Sequence, residues 1–161
     1  MSPIVRDAVP EDAPGVAAVF APYVRESVVT FETDPPTPAM WRSRIEAPHP
    51  FVVLTIAGEV SGYALATPWR QKPAYRHTVE TTVYLSGTAT GRGHGRHLMT
   101  ELLKRCKEDG YRQAIAVVVA ADDGSSLRLH EKLGYEQAGR LTKVGHKQGR
   151  WLDTLLLQRE L

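Results

Sequence analysis

Cysteine is almost absent from this chain of 161 residues: Cys106 stands alone, so no internal disulfide can form. It falls on the apolar side of a predicted helix, which favours buried filler over a nucleophile. No group of His, Cys and acidic residues has metal-ligand spacing, and no metal is expected. Three Trp and three Phe in a chain that is 42% hydrophobic fit one core, hence one domain over residues 1–161. Charge of either sign is nearly balanced, with 20 Lys and Arg against 18 Asp and Glu, and the two signs are interspersed. A basic stripe for nucleic acid is thereby excluded. No apolar run approaches the roughly 20 residues of a membrane span, and Met1 to Asp7 lacks the basic-then-apolar pattern of a signal peptide. A cytoplasmic protein without a membrane partner is the expectation. Repeats, linkers and low-complexity tracts are missing as well.

What is present alternates between two periods. Ile4 to Ala8 reads as a strand, and Glu11 to Arg25 carries Val16, Val19, Phe20 and Val24 at helical spacing, with Pro22 expected to kink it. A second helix is predicted over Pro38 to Glu46. Phe51 to Ile56 and Val60 to Thr67 flank Ala57-Gly58-Glu59 as an antiparallel hairpin, and Thr78 to Leu85 continues the sheet. Gly95 to Glu108 is amphipathic, with Leu98, Met99, Leu102, Leu103 and Cys106 on one side. Ala114 to Ala120 is apolar throughout, as expected of a strand covered on both faces in the parallel part of a sheet. Asp122-Asp123 should cap a short helix ending at Leu133, and Tyr135 to Thr142 with Trp151 to Gln158 should close the sheet as an antiparallel pair.

The most informative segment runs from Glu80-Thr81-Thr82-Val83-Tyr84-Leu85 into Gly91-Arg92-Gly93-His94-Gly95-Arg96. It reads as strand, glycine loop, helix. Glycines at alternate positions remove side chains from a loop that opens a helix, so backbone N–H groups can converge on an anion. A nucleoside triphosphate loop would need Lys then Ser or Thr after the last glycine, where Arg96-His97 stand. The dinucleotide fingerprint G-x-G-x-x-G is not matched either.

The segment resembles the pyrophosphate loop of the GNAT family of acetyl-CoA-dependent N-acetyltransferases, written (Gln/Arg)-x-x-Gly-x-(Gly/Ala) and aligned here with Thr90 to Gly95. The resemblance extends to the phosphinothricin and methionine sulfone acetyltransferase group through Phe31-Glu32-Thr33, Trp69 to Tyr75, Thr78-Val79-Glu80, Val83-Tyr84, Leu129 to Tyr135 and Gly149 to Asp153. It implies an α/β GNAT fold: a mixed, mostly antiparallel twisted sheet flanked by helices, with a central parallel strand pair. It implies acetyl-CoA as co-substrate and a homodimer. Val83, Tyr84, Leu85, Gly91, Arg92, Gly93, His94, Gly95, Arg96, Asp123 and Ser126 fall at its cofactor positions. Thr90 departs from the long polar residue of the pattern, leaving Arg92 or Arg96 to compensate. Asp123 stands where the family has Asn, and an N-cap role is the alternative for it.

Acetyl transfer to an amine requires an unprotonated nitrogen, although amines with pKa above about 7.7 are mostly charged at neutral pH. A base must be within reach. Strand alternation places Glu80 with Thr82 and Tyr84 opposite Val79, Thr81 and Val83. A salt bridge to Arg76 or His77 is the structural alternative for Glu80, and the resemblance assigns it the general base. His130 titrates near neutrality and occupies the family's active-site His position; the division of acid-base work between it and Glu80 stays open. On the acceptor side, Arg70 and Lys72 suit a carboxylate or phosphinate, Tyr75 and Phe31 could wall a pocket, and Thr82 shares the Glu80 face. Trp69 and Trp151 are assigned to packing, and Arg150 and Asp153 to a structural pair. The implied activity is acetylation of the α-amine of a small amino-acid analogue. The alternatives are another amine, such as a polyamine or a protein N-terminus, and a non-catalytic acyl-CoA-binding module.

Overall fold

The computed structural model describes residues 2–121 and 123–161. Asp122, expected to share in a helix cap, lies outside the described residues. Strands β1 (Ile4–Asp7), β2 (Phe51–Ile56), β3 (Glu59–Pro68), β4 (Thr78–Leu85), β5 (Gln113–Val119), β6 (Glu136–Lys147) and β7 (Arg150–Glu160) form one sheet in the order β1-β2-β3-β4-β5-β7-β6. Every pairing is antiparallel except β4 with β5. The expected mixed sheet with a central parallel pair is therefore observed.

Helices α1 (Ala13–Glu26) and α2 (Pro38–Glu46) cover one face, and α3 (His94–Glu108) and α4 (Ser125–Lys132) the other. Alternation along the strands feeds both layers. Val52, Leu54 and Ala64 are buried with Leu98, Met99 and Leu102 of α3, whereas Val53, Tyr63 and Leu65 are buried with Val16 and Phe20 of α1 and Trp41 of α2. Truncating one such fully buried leucine to alanine typically costs about 2–5 kcal/mol, a large share of a domain's net stability. No helix among the described residues is long and apolar enough to cross a membrane.

Local chemistry explains most boundaries. Thr37 caps α2 by accepting from the Met40 N–H at 3.2 Å. Ala57 and Gly58 both take positive φ, which suits the two-residue hairpin turn between β2 and β3. α1 begins after a 3₁₀ turn at Pro10–Asp12 and continues through Pro22 to Glu26, so the proline does not end it.

One expectation about the sheet fails. In β5, Ala114 and Ala116 are buried under α3, but Ile115 and Val119 are only half-buried and Val117 is 39% exposed. The apolar run is covered on one face, because α1 and α2 pack over β2, β3 and β4 and stop short of β5.

Candidate active site

β4 and β5 pair over only three positions, Thr78 with Gln113, Val79 with Ala114 and Glu80 with Ile115. Beyond Glu80, β4 stays with β3 as far as Leu85, and β5 follows β7 as far as Thr154. The parallel pair is thus a fork with Glu80 at its vertex. Val79 and Thr81 are buried on the α3/α4 side, which turns Glu80, Thr82 and Tyr84 to the α1/α2 side. Among the described residues the Glu80 carboxylate has no hydrogen-bond or ion-pair partner, neither Arg76 nor His77 nor any other. Burial raises its carboxyl above the usual carboxylate range, and the positive charge of Arg70 acts the other way. The Arg70 guanidinium lies over the Trp69 ring at 4.1 Å and donates to the Trp69 carbonyl at 3.2 Å. Trp69 is therefore a platform for the arginine rather than core filler.

After β4 the chain makes a 3₁₀ turn at Gly87–Ala89, and the Thr90 hydroxyl donates to the Gly87 carbonyl at 3.1 Å. Gly91 and Gly93 have φ of 75° and 80°, and nothing lies within 4 Å of the point where a Cβ would stand on either. Both need glycine for backbone conformation. Gly93 is the N-cap of α3 with no side-chain cap, so the first N–H groups of this helix lack a capping side chain. Gly95 differs from the other two. It is a helical residue, and a Cβ there would stand 3.2 Å from Leu129 Cδ2 and 3.7 Å from Leu85 Cδ1. The third glycine serves close packing of α3 against α4 and β4. Arg92 and Arg96 are exposed on either side of the loop, and His94 is half-buried.

α4 begins after Gly124, which has φ 73°. The Asp123 carboxylate accepts from the Ser125 N–H at 2.9 Å, and the Asp123 carbonyl accepts from Arg128 Nη1 at 2.8 Å. Asp123 thus braces the helix start from one position before the N-cap. His130, 3% exposed, has Nδ1 2.7 Å from the Ser126 carbonyl. A carbonyl only accepts, so Nδ1 carries the hydrogen and Nε2 of the neutral ring offers a lone pair. Nε2 is buried without a partner. Burial lowers the His130 pKa below its ordinary value, and the Ser126 bond opposes that shift. The His130 ring meets Tyr135 edge-on at 4.9 Å, and the Tyr135 hydroxyl lies 2.8 Å from that of Thr81. His130 therefore belongs to the α3/α4 side of β4 and Glu80 to the other. The structure brings each to the fork but does not bring the two side chains into hydrogen-bonding contact.

The acceptor-side residues fall into two sets. Lys72 and Tyr75 are exposed around a 3₁₀ turn at Pro73–Tyr75, and Thr82 is half-buried beside Glu80 and Tyr84. Phe31 packs its ring on Gly145 of β6, where a Cβ would stand 2.2 Å from Phe31 Cζ. Two assignments need correcting. Trp151 is 66% exposed and touches His146 at 4.6 Å instead of filling the core. Asp153 pairs with Arg140 at 2.6 Å and accepts from the Lys143 N–H at 2.7 Å, so its partner is Arg140 and not Arg150. Asp153 thereby anchors the irregularity in β6 between Leu141 and Gly145.

Burial pushes the Cys106 thiol up to about 12, which keeps it protonated at neutral pH. No group of three or more His, Cys, Asp or Glu among the described residues could hold a metal ion. Sequence reading missed Tyr23, whose hydroxyl donates to the Leu85 carbonyl at the end of β4, and Lys147, whose Nζ donates to the Thr30 carbonyl at 2.8 Å. No motif marks either residue, since the partners are 62 and 117 positions away.

Residues 17–135 match the acetyltransferase (GNAT) family. The chain is 41% identical over 162 residues to a phosphinothricin N-acetyltransferase of Alcaligenes faecalis, covering 98% of this chain and 81% of the relative. It is 33% identical over 166 residues to an L-methionine sulfoximine/L-methionine sulfone acetyltransferase of Pseudomonas aeruginosa, covering 100% and 96%. Among solved structures, a phosphinothricin acetyltransferase of Sinorhizobium meliloti in complex with acetyl-CoA superimposes with a TM-score of 0.93 at 40% identity, covering 100% of this chain and 89% of that one.

Proposed function

The chain belongs to the GNAT acetyltransferase family, and we propose that it moves the acetyl group of acetyl-CoA to the α-amine of a small amino-acid analogue of the phosphinothricin or methionine sulfone type. The observation that carries this reading is the Glu80 carboxylate: half-buried, without a hydrogen-bond partner, and placed where β4 parts from β5 on the strand that leads into the glycine loop. The activities named for the relatives support the substrate class.

Acetyl-CoA supplies a thioester carbonyl whose carbon–sulfur bond is exchanged for a carbon–nitrogen bond, with the coenzyme A sulfur leaving as thiolate and taking up the equivalent of the proton lost by the amine. Gly91, Gly93 and the uncapped N–H groups at the start of α3 would hold the pyrophosphate, with Arg92 and Arg96 adding charge. Val83, Tyr84 and Leu85 lie on the stretch of β4 left without a β5 partner, and an N–H there would stabilise negative charge developing on the acetyl oxygen. Asp123 and Ser126 would border the cofactor at the start of α4. Glu80 takes the amine proton, directly or through water, as nitrogen attacks. Its raised pKa strengthens it as a base relative to an ordinary carboxylate. His130 enters as a proton acceptor through Nε2, because its only ring hydrogen is given to Ser126. Attack is direct: Cys106 is a buried, protonated thiol and takes no acetyl group.

Arg70, Lys72, Tyr75, Thr82 and Phe31 form the acceptor side in this reading. Two cations there favour an acidic amino-acid analogue over a polyamine. Exposed Val117, Leu141, Val144 and Trp151 support assembly as a homodimer, and the cytoplasm is the proposed compartment. Thiol release from acetyl-CoA is measured with methionine sulfone, phosphinothricin and spermidine as acceptors. Turnover of the two amino-acid analogues above that of spermidine is expected. Preference for spermidine, or no turnover of any amine beside measurable acetyl-CoA binding, overturns the substrate reading.

A further inference from the structure

We propose that Lys147 is a positioning residue for the acceptor, holding the Thr30–Glu32 loop against the Glu80 face of β4; the proposal rests on the acceptor site lying on that face. The loop between α1 and α2 has no strand or helix of its own through residues 27–37. Local turns shape it, with the Ser27 hydroxyl accepting from the Val29 N–H at 3.1 Å and the Thr30 hydroxyl from the Glu32 N–H at 3.2 Å. Such turns set the loop's shape but not its place on the protein.

Its place is set from the far edge of the sheet. Lys147 is the last residue of β6 and only 8% exposed, and its Nζ donates to the Thr30 carbonyl across 117 residues of sequence. Two positions earlier, Gly145 leaves room for the Phe31 ring, which fills the space a Cβ would need. The loop also acts on β4: burial pushes the Tyr84 phenol up to about 12, hydrogen bonding from Thr30 opposes that rise and the negative charge of Glu32 adds to it. Tyr84 shares its face with Thr82 and Glu80. Three elements thus converge on one side of the fork, and Lys147 joins the two that are not strand neighbours.

A buried ammonium is a costly way to hold a loop. Burial lowers the Lys147 pKa, and Glu32 opposes that shift without reaching ion-pair distance. An apolar residue would pack at this depth with less loss of solvation. What the ammonium adds is direction, since it fixes the Thr30 carbonyl and with it the orientation of Phe31 and Glu32 beside the acceptor.

The test compares Lys147→Met, Lys147→Arg and Gly145→Ala in the full-length chain, reading kcat, acceptor KM with phosphinothricin or methionine sulfone, and the Kd of acetyl-CoA. A hydrogen bond to a charged group is worth about tenfold or more in an equilibrium constant. Lys147→Met should therefore raise acceptor KM about tenfold while kcat and the acetyl-CoA Kd stay within about twofold. Lys147→Arg, which keeps a donor, should recover most of the loss. Gly145→Ala, which leaves the lysine in place and displaces Phe31, should also raise acceptor KM. An unchanged acceptor KM in both Lys147→Met and Gly145→Ala overturns the proposal. So does a parallel loss of kcat and acetyl-CoA affinity in either variant, or failure of both to fold, because a stability role would then suffice. Wild-type enzyme that turns over neither analogue marks failure of the substrate reading instead, and the proposal falls with it.

Discussion

The hydroxyl of Tyr135 lies 2.8 Å from the hydroxyl of Thr81, and both residues are buried. This contact ties β4 to the chain just beyond α4, 54 residues on in sequence. It also fixes which way β4 faces. With Thr81 turned toward Tyr135 and His130, its neighbours Glu80 and Thr82 must turn to the opposite side. Two titratable groups therefore stand at one fork in different surroundings, and their roles can be separated experimentally.

Glu80→Gln should lower kcat by about 10²–10⁴-fold, the usual contribution of general acid-base catalysis, and leave acetyl-CoA affinity within about twofold. Its melting temperature at pH 7 should be no lower than that of the wild type. The sign follows from the raised carboxyl pKa: this group's stabilising contribution is complete below its unfolded value of about 4.3 and is lost as pH rises through the folded value. Glutamine removes that loss. Steady-state kinetics and thermal melts check both parts, and an undiminished kcat would take Glu80 out of the reaction.

His130 predicts the opposite dependence. Its folded-state pKa is lowered by burial, so its contribution to stability is present above the unfolded value of about 6.5 and is lost as pH falls through the folded value. The wild-type melting temperature should decline as pH drops from 7 to 5. His130→Gln should flatten that decline while reducing turnover. A wild-type and variant pair with parallel melting curves over this range would refute the assignment.

The three glycines of the loop should respond differently to alanine. At Gly91 and Gly93 the added methyl meets open space but an unfavourable positive φ, a cost of roughly 1–2 kcal/mol per residue. Acetyl-CoA affinity should fall about five- to thirtyfold, with little change in melting temperature if the exposed loop alone yields. At Gly95 the methyl meets Leu129 and Leu85, so the main effect should be a lower melting temperature. Calorimetric titration beside thermal melts distinguishes the two patterns.

Much of this architecture was legible in local pattern. α2 over Pro38–Glu46, β2 over Phe51–Ile56 and β4 over Thr78–Leu85 coincide with the spans predicted from spacing and turn residues. Glu80 and Tyr84 could be assigned to one face because alternation in a strand is a property of the backbone alone. The glycine loop was readable for a similar reason, since positive φ at Gly91 and Gly93 is a local demand.

Other readings failed where a distant contact intervened. β5 reads as doubly covered, yet whether its second face is covered depends on where α1 and α2 end their packing. Asp153 stands three residues from Arg150 but binds Arg140, because strands β6 and β7 are antiparallel neighbours and the irregularity in β6 brings Arg140 and the Lys143 N–H to one carboxylate. Trp151 belongs to the tip of that hairpin and is exposed there.

By itself, the sequence determined the elements, the glycine loop and the resemblance that points to acetyl transfer. Those depend on periods of two and 3.6 residues and on short-range backbone preferences. Tertiary structure decided that β4 and β5 part at Glu80, that His130 lies across the strand from it, and that Lys147 holds Thr30. Each of these joins residues from separate elements, and such pairings are set by packing and burial of the whole sheet rather than by any local run of side chains.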